Sequence, residues 1–155
     1  MRLFVSVPVP FRQREHLLAA LTGGRTTNPE QWHLTLAFLG DRDDELDVLD
    51  ALTRIEHAPF SLQIAGSGTF PGVEWAGVDG DLTALRELAA DVAVACRVPQ
   101  TVYRPHVTYA RRGRAALPRD YLGPAWTVAS IDLVHSVLGA GADHRVLASV
   151  PLTPR

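Results

Sequence analysis

The 155-residue sequence predicts an α+β fold in which helices cover one side of antiparallel sheets. Two observations favour this class. Strands and helices follow one another irregularly, with two strands in succession near the middle of the chain and three near its end, and the connections mix short and long lengths. A doubly wound parallel sheet would instead alternate strand and helix regularly. No linker-like stretch interrupts the sequence, so residues 1–155 are predicted to form a single domain.

The predicted helices are the segments in which apolar residues recur every three or four positions. The first covers residues 11–21. The second covers residues 43–56, where leucine or isoleucine stands at every third position, and Pro59 follows its end. The third is expected to begin after Asp81, whose side chain suits a helix N-cap, and to end near Cys96.

The predicted strands are short apolar or alternating runs bounded by turn residues. The glycine-containing residues 66–72 are expected to form a loop between two of these strands. The strands cover residues 3–9, 31–39, 60–65, 73–78, 101–110, 126–138 and 145–152.

The composition excludes several classes of enzyme. All 15 basic residues are arginines, which excludes a Schiff-base lysine, a lysyl-nucleotide intermediate and a P-loop. Cys96 is the only cysteine, which excludes an intrachain disulfide and a cysteine zinc cluster. The formal net charge of −2 argues against a purely electrostatic nucleic-acid surface, although it leaves room for a local basic groove.

The N-terminal residues do not match a targeting signal. Their apolar stretch is short, contains two prolines and lacks an extended charged region before it. No other run approaches the roughly 20 apolar residues that span a bilayer. The sequence therefore predicts a cytoplasmic protein that does not associate with membranes.

One repeated pattern stands out from the rest of the sequence. Residues 33–37 read HLTLA and residues 106–110 read HVTYA, so both have histidine, an apolar residue, threonine, an apolar residue and alanine in the same order. Because side chains alternate between the faces of a strand, each histidine shares one face with the threonine and alanine that follow it. On the opposite, core-facing side the alternation places Leu34, Leu36 and Phe38.

This pattern favours phosphodiester cleavage without a metal. If the two strands lie side by side, His33 and His106 can divide the roles of general base and general acid near neutral pH. Thr35 and Thr108 supply neutral hydrogen-bond donors for phosphoryl oxygens. Neither motif contains a carboxylate, cysteine or lysine for metal-assisted or covalent chemistry. The alternative is two buried strands whose histidines and threonines bind one another, but the duplication favours a functional pair.

With these motifs in place, the sequence resembles the two-histidine phosphoesterase superfamily, and most closely its RNA 2′,3′-cyclic phosphodiesterase branch, historically called 2′-5′ RNA ligase. The resemblance extends over essentially the whole chain. His144 departs from it, because the family often has tyrosine there. The matching segments are MRLFV at residues 1–5, WHLTLAFLG at 32–40, Phe70-Pro71 with Trp75, PHVTYAR at 105–111, and Ser136-Val137-Leu138 before Gly141.

The resemblance implies a bilobal fold in which two pseudo-symmetric antiparallel sheets form a central groove, with helices packed on the outer side. It implies hydrolysis of a 2′,3′-cyclic phosphate to a 2′-phosphate without metal or other cofactor, by a protein expected to be a monomer. The partners would be RNA ends or nucleotides that carry the cyclic phosphate. The family's usual assignment makes His33 the acid and His106 the base, with Thr35 and Thr108 on the phosphate oxygens.

Other residues near the motifs have both functional and structural interpretations. Arg104 and Arg111 belong to an arginine-rich segment, residues 97–119, that could bind phosphates or form a solvated loop face. Strict alternation puts Arg104 on the face of His106 and Arg111 on the opposite face, unless the strand bends after Ala110. Phe38 and Trp75 could stack on a nucleobase, although core packing is the more common role. The histidines outside the motifs, His16, His57, His135 and His144, are expected to be surface or structural residues.

Two other functions remain open on the sequence alone. One is a two-histidine phosphoesterase for a small cyclic nucleotide, with little basic surface around its groove. The other is a non-catalytic RNA-binding module that retains the fold, against which the intact histidines and threonines of both motifs count. The missing lysines exclude ligation through a lysyl adenylate, so any joining of RNA ends would reverse the two-histidine chemistry.

Overall fold

The computed structural model describes residues 1–137 and 143–154. Leu138 and Gly141, which contribute to the resemblance, lie outside the described residues. The strands are β1 (Arg2–Pro8), β2 (His33–Asp41), β3 (Phe60–Phe70), β4 (Val73–Gly80), β5 (Val107–Arg111), β6 (Trp126–Val128), β7 (Ser130–Val137) and β8 (Asp143–Pro151), and the helices are α1 (Phe11–Ala20), α2 (Glu45–Thr53) and α3 (Leu82–Ala95), with a short 3-10 helix at Pro29–Gln31.

The strands form two four-stranded sheets, and every pairing in them is antiparallel. The first sheet has the order β2-β1-β7-β8 and the second the order β5-β4-β3-β6. The motif strands β2 and β5 are therefore edge strands of different sheets, and they contact each other. The predicted α+β class with two antiparallel sheets is confirmed.

The core lies on the side of the motif strands that the alternation predicts. Leu34 and Leu36 of β2 and Val107 and Tyr109 of β5 are all buried. Helix α3 contacts both β2 and β3 and buries its leucines against them. As expected, the Asp81 side chain accepts a hydrogen bond from the backbone N–H of Ala84 at the start of this helix.

Several predicted strands differ from those in the structure; β2, for example, begins at His33 rather than at Gln31, which belongs to the 3-10 helix. Residues 66–70 continue β3 rather than forming a loop, because they pair with β4 and leave only Pro71 and Gly72 for the turn. Residues 126–138 are divided at Ala129, since β6 pairs in the second sheet while β7 pairs in the first. The predicted second helix is also shorter at both ends, Glu45–Thr53 rather than residues 43–56.

Another difference concerns the strand predicted over residues 101–110. In the structure this strand, β5, begins only at Val107. Residues 98–105, here called the strap, lead from α3 to β5 without forming a strand. Their polar groups bind outside any sheet: the carbonyl of Tyr103 accepts from Arg86 of α3, and the Tyr103 hydroxyl donates to the carbonyl of Thr35 at 2.7 Å. The alternation of side chains in a sequence does not show whether a segment has a neighbouring strand to pair with. Residues 101–105 were therefore predicted as part of a strand.

The edges of the two motif strands are linked in a reciprocal way. Tyr103, which precedes β5, caps the Thr35 carbonyl of β2. Thr27, which precedes β2, donates its backbone N–H to the Tyr109 carbonyl of β5 at 2.8 Å. Each motif strand is therefore held by the segment that leads into the other, and the two edges border one groove.

Candidate active site

His33 begins β2, directly after the short 3-10 helix. Asn28 starts that helix by accepting the N–H of Glu30 with its side chain. The helix then presents the Gln31 carbonyl to His33, whose Nδ1 lies 2.8 Å from the oxygen. The His33 ring packs against Phe4 of β1, with 4.8 Å between ring centroids. Both contacts fix the orientation of the imidazole.

His106 stands in the equivalent position just before β5. Its Nδ1 lies 2.7 Å from the carbonyl oxygen of Arg104, again two residues earlier in the chain. Its ring packs edge-on against Phe70 of β3 at 5.3 Å and also lies near Trp75 of β4 at 6.2 Å. The two histidines thus share the same local geometry, one in each sheet.

This geometry determines which nitrogen of each ring is available. A carbonyl oxygen only accepts hydrogen bonds, so Nδ1 of both His33 and His106 must carry a hydrogen. In the neutral ring, Nε2 then has a free lone pair, and in the charged ring it carries a second proton. Each imidazole can therefore accept or donate a proton through Nε2.

The electrostatic environment keeps His33 neutral in the free protein. Burial lowers its pKa to about 4, against the opposing effect of the hydrogen bond to the Gln31 carbonyl. Positive charge on His144 and His106 lowers the pKa of His33 further. At neutral pH His33 therefore carries no charge.

The threonines of both motifs offer unused hydroxyl groups. Thr35 and Thr108 are half-buried. Within residues 1–137 and 143–154, neither hydroxyl has a hydrogen-bond partner. A half-buried donor without a partner is suited to a ligand oxygen, because binding would satisfy a group that is already partly removed from water.

A bulge in β5 changes the faces that strict alternation assigns beyond Thr108. Thr108 pairs with Trp75 while Ala110 pairs with Glu74, so Tyr109 is an extra residue on its strand. Ala110 is consequently buried, and its predicted position on the groove face is wrong. Arg111 is exposed; the pKa of His144 is lowered mainly by burial and further by the charge of Arg111. The irregularity lies at Tyr109 rather than after Ala110, and it puts Arg111, which pairs with Val73, on the face of Thr108, which pairs with Trp75.

A register shift in β2 has the same effect on Phe38. The pairing with β1 skips Leu36 and then Leu39, so the alternation is interrupted on both sides of Phe38. Phe38 is 73% exposed rather than in the core. Its predicted core-facing orientation is wrong, and its ring is available for contact with a ligand.

A cavity of about 900 Å³ adjoins Thr35 of the first motif and His106 of the second, whereas His33 and Thr108 are not among the described residues that line it. Phe38 and Arg104 line it together with Thr35 and His106. Trp75 is not among the described residues that line it, and packs instead against Phe70, His106 and the backbone at Gly68. Of the two aromatic residues predicted to stack on a base, Phe38 is thus the one that faces the cavity.

His144 is a site residue that the sequence interpretation missed. Its ring meets that of His33 edge-on at 5.1 Å and that of Phe4 at 5.0 Å, and its buried Nδ1 has no partner among the described residues. The adjacent Asp143 accepts a 2.7 Å hydrogen bond from the side chain of Gln31. These contacts join β8 to β2, the opposite edges of the first sheet, so this sheet must curl strongly.

The sequence contained one indication of this role, the family's tyrosine at position 144. Among the described residues, the other three histidines outside the motifs show no contact with His33 or His106. His16, for example, forms a 2.6 Å hydrogen bond between its Nδ1 and the hydroxyl of Tyr121. Within the described ranges, no three His, Cys, Asp or Glu side chains are grouped so that they could hold a metal ion. None of the helices there has the length and hydropathy needed to cross a bilayer.

Comparisons with known proteins agree with the geometry of the site. The family described as LigT like Phosphoesterase matches residues 11–78. An RNA 2′,3′-cyclic phosphodiesterase of Thermus thermophilus is 35% identical over 167 residues, which span 89% of this chain and 83% of the relative.

Solved structures extend the similarity to the whole fold. The crystal structure of a Thermus thermophilus protein has a TM-score of 0.76 and 33% identity, and covers 99% of both chains. That of E. coli LigT complexed with NADP+ has a TM-score of 0.84 and 25% identity, and covers 98% of both chains. With the paired histidines in equivalent positions of two antiparallel sheets, the chain belongs to the LigT-like phosphoesterase family.

Proposed function

We propose that this protein hydrolyses the 2′,3′-cyclic phosphate of an RNA end or nucleotide to a 2′-phosphate, without a metal ion. The observation that carries the proposal is the matched pair His33 and His106, each with Nδ1 bound to a carbonyl and Nε2 free. Relatives named RNA 2′,3′-cyclic phosphodiesterase support the choice of substrate.

The reaction requires two proton transfers that such a pair can divide. Water attacks phosphorus as one imidazole takes its proton, and the bond from phosphorus to O3′ breaks as the other imidazole protonates O3′. The hydroxyls of Thr35 and Thr108 donate to the nonbridging oxygens as negative charge increases there. Arg111 adds positive charge near the same site.

The division of roles depends on the charge of His33. The resemblance assigns His33 as the acid, yet in the free protein its pKa is about 4 and it has no Nε2 proton to give. A phosphate anion bound beside this buried ring favours the charged form. We propose that substrate binding raises the pKa of His33 and so prepares it as the acid, while His106 serves as the base.

The decisive experiment is incubation of the protein with a nucleoside 2′,3′-cyclic phosphate in EDTA, followed by identification of the product. We expect a 2′-phosphate, and replacement of either His33 or His106 by Ala should lower turnover by about 10²- to 10⁴-fold. Near-normal turnover in a variant that lacks both histidines would overturn the mechanism. Turnover that appears only after a divalent cation is added would contradict metal independence.

The proposed change in His33 can be followed by NMR titration of its ring, with and without the 2′-phosphate product. The product should raise the pKa of His33 well above its value in the free protein. A pKa that stays low in the complex would assign His33 as the base instead.

A further inference from the structure

The cavity beside the motifs extends well beyond the residues that the chemistry needs. From Thr35 and His106 it continues past Phe38 to helix α3. Small side chains of α3 form one wall, and the strap forms another, with Val102 83% exposed. The lining residues of this outer part include Arg86, Ala89, Ala90, Ala93, Val98 and Val102.

The outer part of the cavity is held in a fixed relation to the catalytic residues. Arg86 of α3 donates a hydrogen bond to the Tyr103 carbonyl at 3.0 Å, and the Tyr103 hydroxyl binds the Thr35 carbonyl. The next strap residue, Arg104, holds Nδ1 of His106 with its carbonyl. Arg86 is thus connected to both motifs through two consecutive residues of the strap.

The charge of the cavity differs from that of the whole chain. The protein has a formal net charge of −2, yet the described lining residues include Arg86, Arg104 and His106 and no Asp or Glu. Neither arginine forms an ion pair with a described residue. Guanidinium groups that lie beside apolar walls, and are not neutralised by a carboxylate, are suited to a chain of phosphates and bases.

The cavity volume lies within the range of pockets that enclose a ligand. Ligand pockets of roughly 300–1,000 Å³ bury most of a drug-sized molecule, and this one lies near the upper end at about 900 Å³. A cyclic phosphate at Thr35 and His106, with its base near Phe38, contacts residues of the two motif segments, whereas Arg86 and Ala90 line the cavity from α3.

We propose that this outer part is a binding site for the nucleotide on the 5′ side of the terminal one, and that Arg86 binds the phosphodiester group between them. The apolar wall at Ala90 then contacts the sugar or base of that nucleotide. The inference rests on the proposed function and assigns Arg86 and Ala90 as the residues that make this protein favour a longer RNA end over a mononucleotide.

The test compares kcat/KM for a trinucleotide that ends in a 2′,3′-cyclic phosphate with kcat/KM for a mononucleoside 2′,3′-cyclic phosphate. In the wild-type protein the ratio should favour the trinucleotide. Arg86→Gln should lower this ratio about tenfold, through loss of a charge-assisted contact to phosphate, and should make log(kcat/KM) for the trinucleotide less dependent on log salt. Ala90→Phe, which fills the cavity without changing charge, should lower the ratio as well.

Arg54→Gln is the matched control, because Arg54 caps the C-terminus of α2, does not line this cavity and pairs with Asp50. It should leave the ratio at its wild-type value. A wild-type ratio near one would overturn the inference. An unchanged ratio in both Arg86→Gln and Ala90→Phe would overturn it as well. This holds even if damage to the strap lowers kcat/KM equally for the two substrates. If the wild-type protein hydrolyses neither substrate, the proposed function itself has failed.

Discussion

At neutral pH the buried ring of His33 is uncharged, because burial lowers its pKa to about 4 from an ordinary 6.5. The imidazole of His33 therefore binds a proton more readily in the unfolded chain than in the folded protein. The titration of His33 therefore causes no loss of stability above about pH 6.5. It lowers the free energy of unfolding as the pH falls from there towards 4.

Replacement of His33 by Gln should remove this part of the pH dependence. Chemical denaturation at pH 7 and pH 5 would measure it, since titratable residues other than His33 contribute equally to both proteins. The loss of stability between the two pH values should be smaller in the variant than in the wild-type protein. Equal losses would show that His33 is protonated as easily in the folded state as in the unfolded chain.

The packing of His144 against His33 leads to a second prediction. His144→Phe keeps a ring against His33 and Phe4 and removes a buried nitrogen without a partner, so it should retain the wild-type stability. His144→Ala should destabilise the fold by about 1–2 kcal/mol, less than a fully buried ring would. It should also raise the pKa of His33, because water reaches the ring.

Thermal denaturation and NMR titration of His33 measure these two effects. If the alanine variant left the pKa of His33 unchanged, the ring of His144 would not contribute to its burial. Beyond the family's tyrosine at this position, the sequence held no indication of the role of His144, because the contact depends on the curl of the first sheet. Position 144 is three strands away from β2 in the sheet order.

Among the elements, β3 and β4 support His106 through the close contact of Trp75 with Gly68. A Cβ atom at position 68 would overlap the indole ring, which lies near His106. Gly68→Ala should therefore force the indole to move, with a cost of about 1–3 kcal/mol in stability and a loss of turnover.

The double variant Gly68→Ala/Trp75→Phe gives the control, because a smaller ring leaves room for the new methyl group. It should recover much of the stability that Gly68→Ala loses. Denaturation curves of the single and double variants test the contact directly. An equally large loss in both variants would mean that the strain arises elsewhere in the turn.

The accuracy of the sequence predictions also differs between elements for physical reasons. Helix α3 and its Asp81 cap were predictable, because local periodicity and capping determine them. The four residues His33, Thr35, His106 and Thr108 could be singled out because a duplicated alternation reports directly on one face of a strand. Phe38 and Ala110 were misplaced, because bulges depend on pairing with a partner strand, which alternation does not contain.

On the scale of the whole molecule, the two sheets are tied beside the site by few polar contacts. One is the 2.7 Å hydrogen bond from the Tyr103 hydroxyl to the Thr35 carbonyl. Burial raises the pKa of Tyr103, so the hydroxyl keeps its proton over the usual pH range. Tyr103→Phe should cost about 0.5–1.5 kcal/mol of stability and also lower turnover, because the strap beside Thr35 loosens.

Tyr121→Phe serves for comparison, since it removes a hydrogen bond between Tyr121 and His16. This bond involves neither the motif histidines nor the motif threonines. It should cost a similar amount of stability and leave turnover unchanged. Denaturation and activity measurements on both variants separate the two contributions. A Tyr103→Phe protein with lower stability but full activity would mean that the strap does not control the geometry of the site.

The reciprocal caps on β2 and β5 have a consequence for the protein in a crowded solution. Unpaired edge strands invite strands of other molecules to add to the sheet. Here the motif strands β2 and β5 are both edges, and the proposed function requires them to stay open on one side to admit a substrate. The Tyr103 and Thr27 contacts occupy backbone carbonyls on those edges, so the arrangement that shapes the groove also hinders the growth of intermolecular sheets along its rim.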